Sequence, residues 1–437
     1  MRHEPIEAVL TGWIDPADIF SGGGWPVWLD SGDDLGTSYL GLGSRVATAS
    51  AAAGTVTFDG KTTAGSIFDL LRTSGSGAQN GFRLGWVGWL GYELRAETMD
   101  KPVGPRRVDS PDAVLIFVDR ALAFDHATGS MRALALTADG LADVTARASV
   151  ASRPPRPAAA APVARWRYSD VEYLAMIREC QAAISEGEAY QLCLTNEVVV
   201  ALLPDPIDTY LALRASSPSH HGSFFSAAGI TLLSASPEQF LAVTPGGVIE
   251  SKPIKGTRRR GTSPVEDREL ARELRADDKE RAENLMIVDL MRNDLARVSE
   301  VGSVNVPSLL QVESYPQLHQ LVSTIRGTLA TGLDPIDAVV ACFPAGSMTG
   351  APKRRAIELL DGLEQRKRGP YAGAFGYFGL DGRIDLAMII RTIVIDSRGC
   401  RVGAGGGITA LSVPTAELAE VKLKAAALLA VLGVTSR

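Results

Sequence analysis

Four glutamates lie in two pairs at helical spacing: Glu280 with Glu283, and Glu417 with Glu420. Residues three apart share one face of a helix, so each pair can present two carboxylates in the same direction. Four converging carboxylates suit a hard divalent cation such as Mg²⁺, which prefers oxygen ligands. The competing interpretation is a solvated, Glu-rich helix face. Lys424 extends the second pair into a stripe at i, i+3 and i+7, which favours a functional face.

One lysine has an unusual setting. Lys255 lies in "ESKPIKGTRRRG", after a proline and before a Gly-Thr turn and three arginines. A lysine is a nucleophile only when neutral, and from a reference pKa of ~10.4 neutrality near pH ~7.4 costs about 4 kcal/mol. Burial and neighbouring positive charge both lower that cost. Arg258, Arg259 and Arg260 supply such charge if they point inward; if they face solvent, Lys255 is only an electrostatic partner for a substrate.

Two further features could bind an anion. Arg391 interrupts the apolar strand "LAMIIRTIVI", where a charge must be either paired or functional. The segment "FPAGSMTGAPKRRAIELL" is a small-residue turn that leads into a helix, and helix N-termini bind anions. An ordinary capped helix is the alternative. Tyr371, between Pro370 and Ala372, indicates a structural role on its own evidence.

The elements that must position these residues are mixed. Helices are predicted over "SDVEYLAMIRECQAAISEG", with Ser169 or Asp170 as N-cap, over two successive charged segments separated by Asp277-Asp278, and from Thr415 to Leu432. Strand-like runs such as "VWLD", "AVLIFVD" and "ITLLSAS" lie between turn-rich segments. The pattern predicts an α+β protein with large, mostly antiparallel sheets and helices on their outer faces.

Composition limits the classes of function. The chain of 437 residues has a net charge of −6, which does not favour nucleic-acid binding. Four widely spaced cysteines fit a reducing cytoplasm, and no apolar run approaches the length of a membrane helix. Neither "GKT" at residues 60–62 nor "GAGGG" at residues 403–407 completes a nucleotide-binding motif. A Pro/Ala-rich stretch, residues 151–165, is interpreted as a linker between residues 1–150 and residues 166–437.

The ordered motifs resemble those of the chorismate-utilising enzymes, which include anthranilate, aminodeoxychorismate and isochorismate synthases. The resemblance rests on "GEAYQLCLTNE", "SASPEQF", "KPIKGTRRRG", "ERAENLMIVDLMRNDL", "FPAGSMTGAPK", "RTIV" and "GAGGGI…AELAEVKLKA". These motifs run from Tyr168 to the C-terminus, and "WLDSG…SYLG" and "GWVGWLGYE" extend a weaker match over an anthranilate-synthase-like N-terminal region. The resemblance implies two sheets packed face to face with helices outside, around a site for Mg²⁺ and chorismate.

The resemblance also implies roles for residues, by position. The glutamates of the two pairs correspond to the Mg²⁺ site, and Lys424 to a lysine beside the ring carboxylate of chorismate. Glu238, in "SPE", corresponds to the general acid that helps the C4 hydroxyl to leave. The remaining substrate-binding residues implied are Tyr371, Arg391, Gly405, Gly406, Gly407, Thr349 and Gln191.

Two positions distinguish branches of the family. Members that add water at C2 carry a lysine base where this chain has Gln191, and an amide cannot accept that proton usefully. Anthranilate-type members resemble "PIAGT" where this chain has "PIKGT", the form typical of the aminodeoxychorismate branch. The resemblance therefore implies a transferase that aminates chorismate at C4 through a covalent bond to Lys255, in 4-aminobenzoate and folate biosynthesis. Anthranilate synthase is the alternative enzyme, and a catalytically idle scaffold is the alternative from another class.

The sequence also predicts a partner subunit, and it differs from the family pattern at two places. No Gly-x-Cys-x-Gly elbow surrounds any cysteine, so a separate glutamine amidotransferase subunit is expected to deliver ammonia. Many relatives have a histidine directly before "LVS", where this chain has Gln320, with His319 one place earlier; no catalytic role is transferred to either. An effector pocket that binds tryptophan in some members corresponds to the region of Ser31, but "SPSHHGSFF" replaces its usual Pro-rich turn, which makes tryptophan binding doubtful.

Overall fold

The computed structural model describes residues 4–32, 36–72, 81–99, 110–149, 162–315 and 318–434. The strands in chain order are β1 (Ile6–Leu10), β2 (Val27–Asp30), β3 (Thr37–Leu42), β4 (Arg45–Ser50), β5 (Thr55–Phe58), β6 (Lys61–Ala64), β7 (Gly85–Leu90), β8 (Ala113–Val118), β9 (Arg120–Asp125), β10 (Ser130–Ala135), β11 (Ala164–Trp166), β12 (Gln191–Val200), β13 (His221–Ala227), β14 (Ile230–Ser236), β15 (Gln239–Val243), β16 (Val248–Lys252), β17 (Ile254–Arg259), β18 (Asn305–Ser314), β19 (Leu318–Thr328), β20 (Gly350–Ala351), β21 (Ala374–Gly379), β22 (Ile384–Met388), β23 (Thr392–Asp396) and β24 (Gly399–Ile408).

The helices are α1 (Pro16–Ser21), α2 (Ile67–Leu71), α3 (Arg95–Thr98), α4 (Ala138–Arg147), α5 (Asp170–Ser185), α6 (Pro206–Ser216), α7 (Pro264–Ala276), α8 (Asp278–Ala296), α9 (Pro335–Cys342), α10 (Lys353–Glu364) and α11 (Pro414–Val431). Two 3₁₀ turns, Tyr92–Leu94 and Gly346–Met348, connect elements. None of the helices that the structure describes is long and apolar enough to cross a membrane.

The strands form two large antiparallel sheets. The first has the order β1-β10-β9-β3-β2-β13-β14-β23-β24-β12-β11, with β20 paired to β12. The second has the order β17-β19-β16-β15-β22-β21-β7-β8-β4-β5-β6, with β18 paired to β19. Strands from before residue 136 and from after residue 163 are present in both sheets. The division into residues 1–150, 151–165 and 166–437 stays a prediction, since residues 151–161 lie outside the described residues.

Strand β8 shows why the two sheets pack face to face. Successive side chains of a strand point to opposite faces. Val114 and Ile116 of β8 join a core with Phe225 and Leu232 of the first sheet, whereas Leu115 packs on the outer side among helix residues. Helices α5, α6, α10 and α11 cover the outside of the first sheet, and α2, α8 and α9 cover the outside of the second. The predicted α+β sandwich with outer helices is therefore confirmed.

Helix ends follow the local sequence. Ser169 and Glu172 form a capping box at the start of α5, and the Asp277 side chain accepts the backbone N–H of Glu280 at 3.1 Å at the start of α8. Each cap satisfies a backbone donor that the first turn leaves unpaired. Gly433, with a φ of 75°, follows α11 and ends it. The predicted helix bounds thus agree with the structure to within a few residues.

A buried ion pair between Arg368 and Glu364 lies at the end of α10. The Arg368 guanidinium donates to both carboxylate oxygens of Glu364, at 2.8 and 2.7 Å, and to the carbonyl oxygens of Met348 and Cys193. Glu364 also accepts the backbone N–H and the hydroxyl of Thr195 on β12. The guanidinium holds the pKa of Glu364 below its ordinary value although burial opposes this. The pair fixes the end of α10 against the first sheet.

We expect Arg368→Met to lower the free energy of unfolding by about 3–5 kcal/mol, because Glu364 would be left buried without its partner. Arg355→Met is the matched control, since its pair with Glu188 is roughly half exposed and contributes about 0–1 kcal/mol. Urea unfolding of the full chain measures both losses. Equal, small losses in the two variants would contradict the structural role of the buried pair.

Candidate active site

A cavity of about 310 Å³ lies at one end of the sandwich, where the chain passes between the sheets. Glu238 lies in the link from β14 of the first sheet to β15 of the second, and Arg391 in the link from β22 back to β23. Twelve of the residues predicted from sequence line this one cavity: Glu238, Lys255, Glu280, Glu283, Tyr371, Arg391, Gly405, Gly406, Gly407, Glu417, Glu420 and Lys424.

The two predicted glutamate pairs come from helices on opposite sides of the molecule. Helix α8 packs on the second sheet and supplies Glu280 and Glu283, whereas α11 packs on β24 of the first sheet and supplies Glu417 and Glu420. Glu417 is 2% exposed, and its Oε1 accepts the hydroxyl of Ser412 at 2.8 Å. The structure therefore brings both pairs to one cavity, and the i, i+3 spacing explains why the two members of each pair face it together.

Each of these glutamates has a cationic neighbour. Lys279 Nζ lies 3.2 Å from Glu417 Oε1 and 3.9 Å from Glu283 Oε1. The other pairs are Lys424 with Glu420 at 2.7 Å and Arg258 with Glu280 at 3.8 Å. Burial raises the pKa of Glu280 and of Glu283, and the neighbouring carboxylates raise both further.

The chemistry of this donor set fits a divalent cation. Its members are carboxylate oxygens, and an ammonium already lies between Glu283 and Glu417. Among the described residues, no group of three acidic or metal-binding side chains has its ligand atoms gathered around one point. The glutamate side chains would therefore need new rotamers to share one cation.

Lys255 points into the cavity because of an irregularity in β17. The pairing of β17 with β19 shifts register between Ile254 and Thr257, which is the signature of a β-bulge. Gly256 has a φ of 82°, and a Cβ there would lie 3.0 Å from Cδ of Glu280. The Gly-Thr turn thus allows β17 to approach α8 while the lysine before it is aimed at the glutamates.

The three arginines after Lys255 are each paired with a carboxylate: Arg258 with Asp277 at 2.8 Å, Arg259 with Glu266, and Arg260 with Asp267 at 2.7 Å. Arg258 also lies 3.8 Å from Glu280 in the cavity wall. Of the two alternatives left by the sequence, the structure favours the one in which these arginines do not lower the pKa of Lys255, since they are not among the main causes of its shift.

The pKa of Lys255 responds mainly to the cavity itself. Burial lowers this pKa, but Glu283, Glu238 and Glu420 outweigh burial and raise it above its ordinary value. The surroundings of the lysine therefore favour the ammonium form, and neutralisation of their negative charge would favour the amine.

Glu238 has the environment of a proton donor. Its side chain is 8% exposed, and burial raises its pKa to about 6 although Lys255 and a hydrogen bond from Ser347 oppose the shift. A carboxyl group that keeps its proton closer to neutral pH can protonate a leaving group more readily than an ordinary one.

The opposite wall of the cavity suits a carboxylate. Gly405–Gly407 of β24 present backbone there, and a Cβ on the nearby Gly403 would collide with the ring of Tyr371. The Arg391 guanidinium is open to the cavity, and desolvation lowers its pKa. No ion pair of Arg391 occurs within the part of the chain that the structure describes.

Two predicted residues do not line the cavity. The Thr349 hydroxyl donates to the carbonyl oxygens of Ala345 and Gly346, both at 3.2 Å, inside its own turn. Gln191 is 1% exposed and packs against Gly407, behind the glycine wall. Substrate binding by Thr349 and by Gln191 stays a prediction.

Ser31 lies elsewhere, in a second cavity of about 420 Å³ that His220, His221 and Tyr377 also line. Both histidines belong to the segment "SPSHHGSFF". The expectation for Ser31 as an effector-site residue stays a prediction.

Three lining or neighbouring residues were not identified as site residues from the sequence. Ser347 hydrogen-bonds Glu238, and its hydroxyl was visible only as part of the small-residue turn. Lys279 lies four residues before Glu283, a spacing that places both side chains on one face of α8 and is the signal in the sequence for their contact. Gln320 lines the cavity, whereas His319 hydrogen-bonds Asp267 and Ser314 and does not.

Comparison with known proteins identifies the family. Residues 26–430 match the family of chorismate binding enzymes, and the chain belongs to this family. It is 46% identical over 448 residues to an aminodeoxychorismate synthase of Streptomyces griseus, covering 95% of this chain and 62% of that protein. It is 38% identical over 372 residues to anthranilate synthase component 1 of Streptomyces coelicolor, covering 80% of this chain and 72% of that protein.

A solved structure confirms the fold. Anthranilate synthase component I of Streptococcus pneumoniae superimposes with a TM-score of 0.79 at 27% identity, covering 90% of this chain and 92% of that one. The chain spans less than two thirds of the length of the aminodeoxychorismate synthase from Streptomyces griseus and about half of that from Streptomyces pristinaespiralis.

The raised pKa of Glu238 predicts a pH-dependent stability. A carboxyl group with a raised pKa contributes stability in full below its unfolded pKa, and that contribution is lost as the pH rises through about 6. We therefore expect Glu238→Gln to have a higher free energy of unfolding than the wild type at pH ~8, by up to about 2 kcal/mol, since one pKa unit corresponds to 1.36 kcal/mol. Urea unfolding of the two proteins measures this difference. The difference should disappear near pH ~4.5, and a difference that is the same at both values would contradict the shift.

Proposed function

We propose that this chain aminates chorismate at C4 with ammonia, giving 4-amino-4-deoxychorismate for 4-aminobenzoate and folate biosynthesis. One observation carries the proposal: Lys255 lines the same cavity as the four glutamates and Glu238. Membership of the chorismate binding enzymes and the similarity to proteins named aminodeoxychorismate synthase support the substrate and the reaction. The replacement of one ring substituent by an amino group makes the enzyme a transferase, and a cytoplasmic location stays a prediction.

In the first step, the neutral amine of Lys255 attacks C2 of chorismate. The two ring double bonds shift, the bond from C4 to its hydroxyl breaks, and a proton from Glu238 converts the leaving group to water. The lysine nitrogen, now bonded to C2, loses a proton. This step needs the acid form of Glu238 and the free base of Lys255 together, which are the minor forms of both groups near neutral pH.

In the second step, ammonia attacks C4. The double bonds shift back, and the lysine nitrogen takes up a proton as its bond to C2 breaks, so that Lys255 leaves as the neutral amine. The new ammonium group at C4 loses one proton, which balances the proton taken up by the lysine nitrogen. The enolpyruvyl group is retained because no bond to C3 is broken. Atoms balance as chorismate plus ammonia giving aminodeoxychorismate plus water.

Binding of the substrate needs sites for two carboxylates. Arg391, Tyr371 and the backbone of Gly405–Gly407 are suited to the enolpyruvyl carboxylate, because they lie together on one wall and Arg391 brings a positive charge. Lys424 lines the same cavity, and its Nζ donates to the carbonyl oxygen of Gly405 at 2.9 Å. It is suited to the ring carboxylate.

Mg²⁺ is the cofactor that the four glutamates would hold. When bound, it supplies positive charge that polarises the substrate and offsets the carboxylates that favour the ammonium form of Lys255. The residues named above bind and orient the substrate and move the protons.

Ammonia is proposed to come from a separate glutamine amidotransferase subunit. Amide hydrolysis by such an enzyme needs a reactive thiolate, and all four cysteines of this chain are buried. Burial raises the pKa of Cys180 and of Cys400 to about 12, and raises those of Cys193 and Cys342 as well.

Anthranilate synthesis is the second candidate, favoured by the superposition on an anthranilate synthase. That reaction would place ammonia at C2 and eliminate pyruvate. Lys255 favours C4 amination, because an amine at C2 blocks the carbon that anthranilate synthesis must aminate. The fluorescence of anthranilate distinguishes the two products.

We expect Lys255→Ala, supplied with chorismate, Mg²⁺ and ammonium, to lose about 10³-fold or more in the rate of aminodeoxychorismate formation, because the covalent step has no nucleophile. Mass spectrometry of the product measures the rate. Lys252→Ala is the matched control, since Lys252 lies three residues earlier and does not line the cavity. Unchanged turnover by Lys255→Ala would remove the covalent role.

Ammonium salts should support amination by the isolated chain, whereas glutamine alone should not, because the chain has no exposed cysteine to hydrolyse an amide. Parallel assays with each nitrogen source at equal concentration, with ammonia release measured separately, give the answer. Ammonia release from glutamine by the purified chain would refute the need for a partner.

A further inference from the structure

Lys279 has a position that the proposed reaction does not use. Its Nζ lies between the two glutamate-bearing helices, 3.2 Å from Glu417 Oε1 on α11 and 3.9 Å from Glu283 Oε1 on α8. The lysine side chain is 54% exposed, whereas those of Glu417 and Glu283 are 3% and 12% exposed. The ammonium therefore reaches buried carboxylates from a side chain that lies largely at the surface.

Local helix electrostatics do not explain this position. Lys279 is the second residue of α8, and the N-terminus of a helix disfavours a positive charge. Acidic side chains, Asp277 as the cap and Asp278 and Glu280 in the first turn, are the usual occupants there. The attraction that holds the ammonium inward comes from the carboxylates of the cavity.

Arg258 and Lys424, the cationic neighbours of Glu280 and Glu420, each make additional polar contacts. Arg258 also contacts Asp277 at 2.8 Å and Glu273 at 3.3 Å, and Lys424 donates to the carbonyl oxygen of Gly405. In the described part of the chain, the polar contacts of Lys279 are with Glu417 and Glu283 alone. Lys279 can therefore rotate into solvent without breaking any other hydrogen bond or ion pair of the described residues.

We propose that Lys279 is a displaceable internal counter-ion, whose ammonium a divalent cation must expel from between Glu283 and Glu417 in order to bind. The inference rests on the magnesium dependence of the proposed function and extends it to a residue that sets cation affinity. The ammonium neutralises carboxylates of both α8 and α11, and its charge competes directly with that of the metal. A higher concentration of Mg²⁺ is then needed to fill the site than the glutamates alone would require.

The test is cation binding rather than turnover. Isothermal titration of the full chain, first treated with a chelator, with MnCl₂ and with MgCl₂ gives the dissociation constants. We expect Lys279→Met to bind both cations at least about tenfold more tightly than the wild type, a difference of about 1.4 kcal/mol. Lys422→Met is the matched control: it removes the same charge from α11, where Lys422 pairs with Asp170 at 2.6 Å, and should change the affinity less than about twofold.

A thermal melt gives a second readout. Without added metal, Lys279→Met should melt below the wild type, because two carboxylates lose their neighbour; saturating Mg²⁺ should raise its melting temperature by more than it raises that of the wild type. Lys279→Gln serves as a second variant with the same expectation. Unchanged or weaker cation affinity in Lys279→Met would overturn the counter-ion role alone. Absence of cation binding by both wild type and variant would overturn the magnesium dependence as well.

Discussion

Like charges confined in one cavity are the constraint on which the active-site architecture depends. Glu238, Glu283 and Glu417 are largely buried, and their mutual repulsion in a poorly polarisable environment is costly unless cations neutralise it. The cations come from separate elements: a bulge in β17, the first turn of α8 and the middle of α11. Neutralisation of the cavity therefore requires that both sheets and both helices be in place at once.

This constraint links Lys255, the proposed nucleophile, to the proposed cation site. Glu283 and Glu420 raise the pKa of Lys255, and they also belong to the set that suits Mg²⁺. The charge that keeps the lysine protonated is therefore the charge that a bound cation would offset. The same carboxylate charge therefore affects both the protonation of Lys255 and the binding of a cation to the glutamates. The ammonium of Lys279 also offsets part of this charge. In the proposed reaction, Lys255 would therefore be a neutral nucleophile mainly when a cation occupies the glutamates.

Local patterns in the sequence predicted the parts of the structure that depend on neighbours along the chain. Spacing placed Glu280 with Glu283 and Glu417 with Glu420, and capping residues located the starts of α5 and α8. The fold class followed from alternating strand-like runs and amphipathic helices. The joint position of these residues in one cavity could be expected only from resemblance to a known family, because nothing local relates α8 to a helix more than a hundred residues later.

Long-range contacts explain what could not be predicted. The inward direction of Lys255 depends on a bulge against β19, and the outward pairing of Arg258, Arg259 and Arg260 depends on carboxylates of α7 and of the residue that caps α8. The pKa of Lys255 rises above its ordinary value because carboxylates rather than these arginines surround it, and the sequence left both alternatives open. The contact of Lys279 with Glu417 spans 138 residues and had no signal in the sequence beyond the spacing of Lys279 to Glu283.

The central claim is that Lys255 forms a covalent bond with the substrate. Its most direct test is mass spectrometry of the chain mixed with chorismate and Mg²⁺ in the absence of ammonia, then quenched and digested. The account predicts a peptide that carries Lys255 with the added mass of one chorismate less one water, and the loss of this adduct when ammonium is supplied before the quench. An unmodified Lys255 peptide under conditions in which the same preparation, given ammonium, produces aminodeoxychorismate would contradict it.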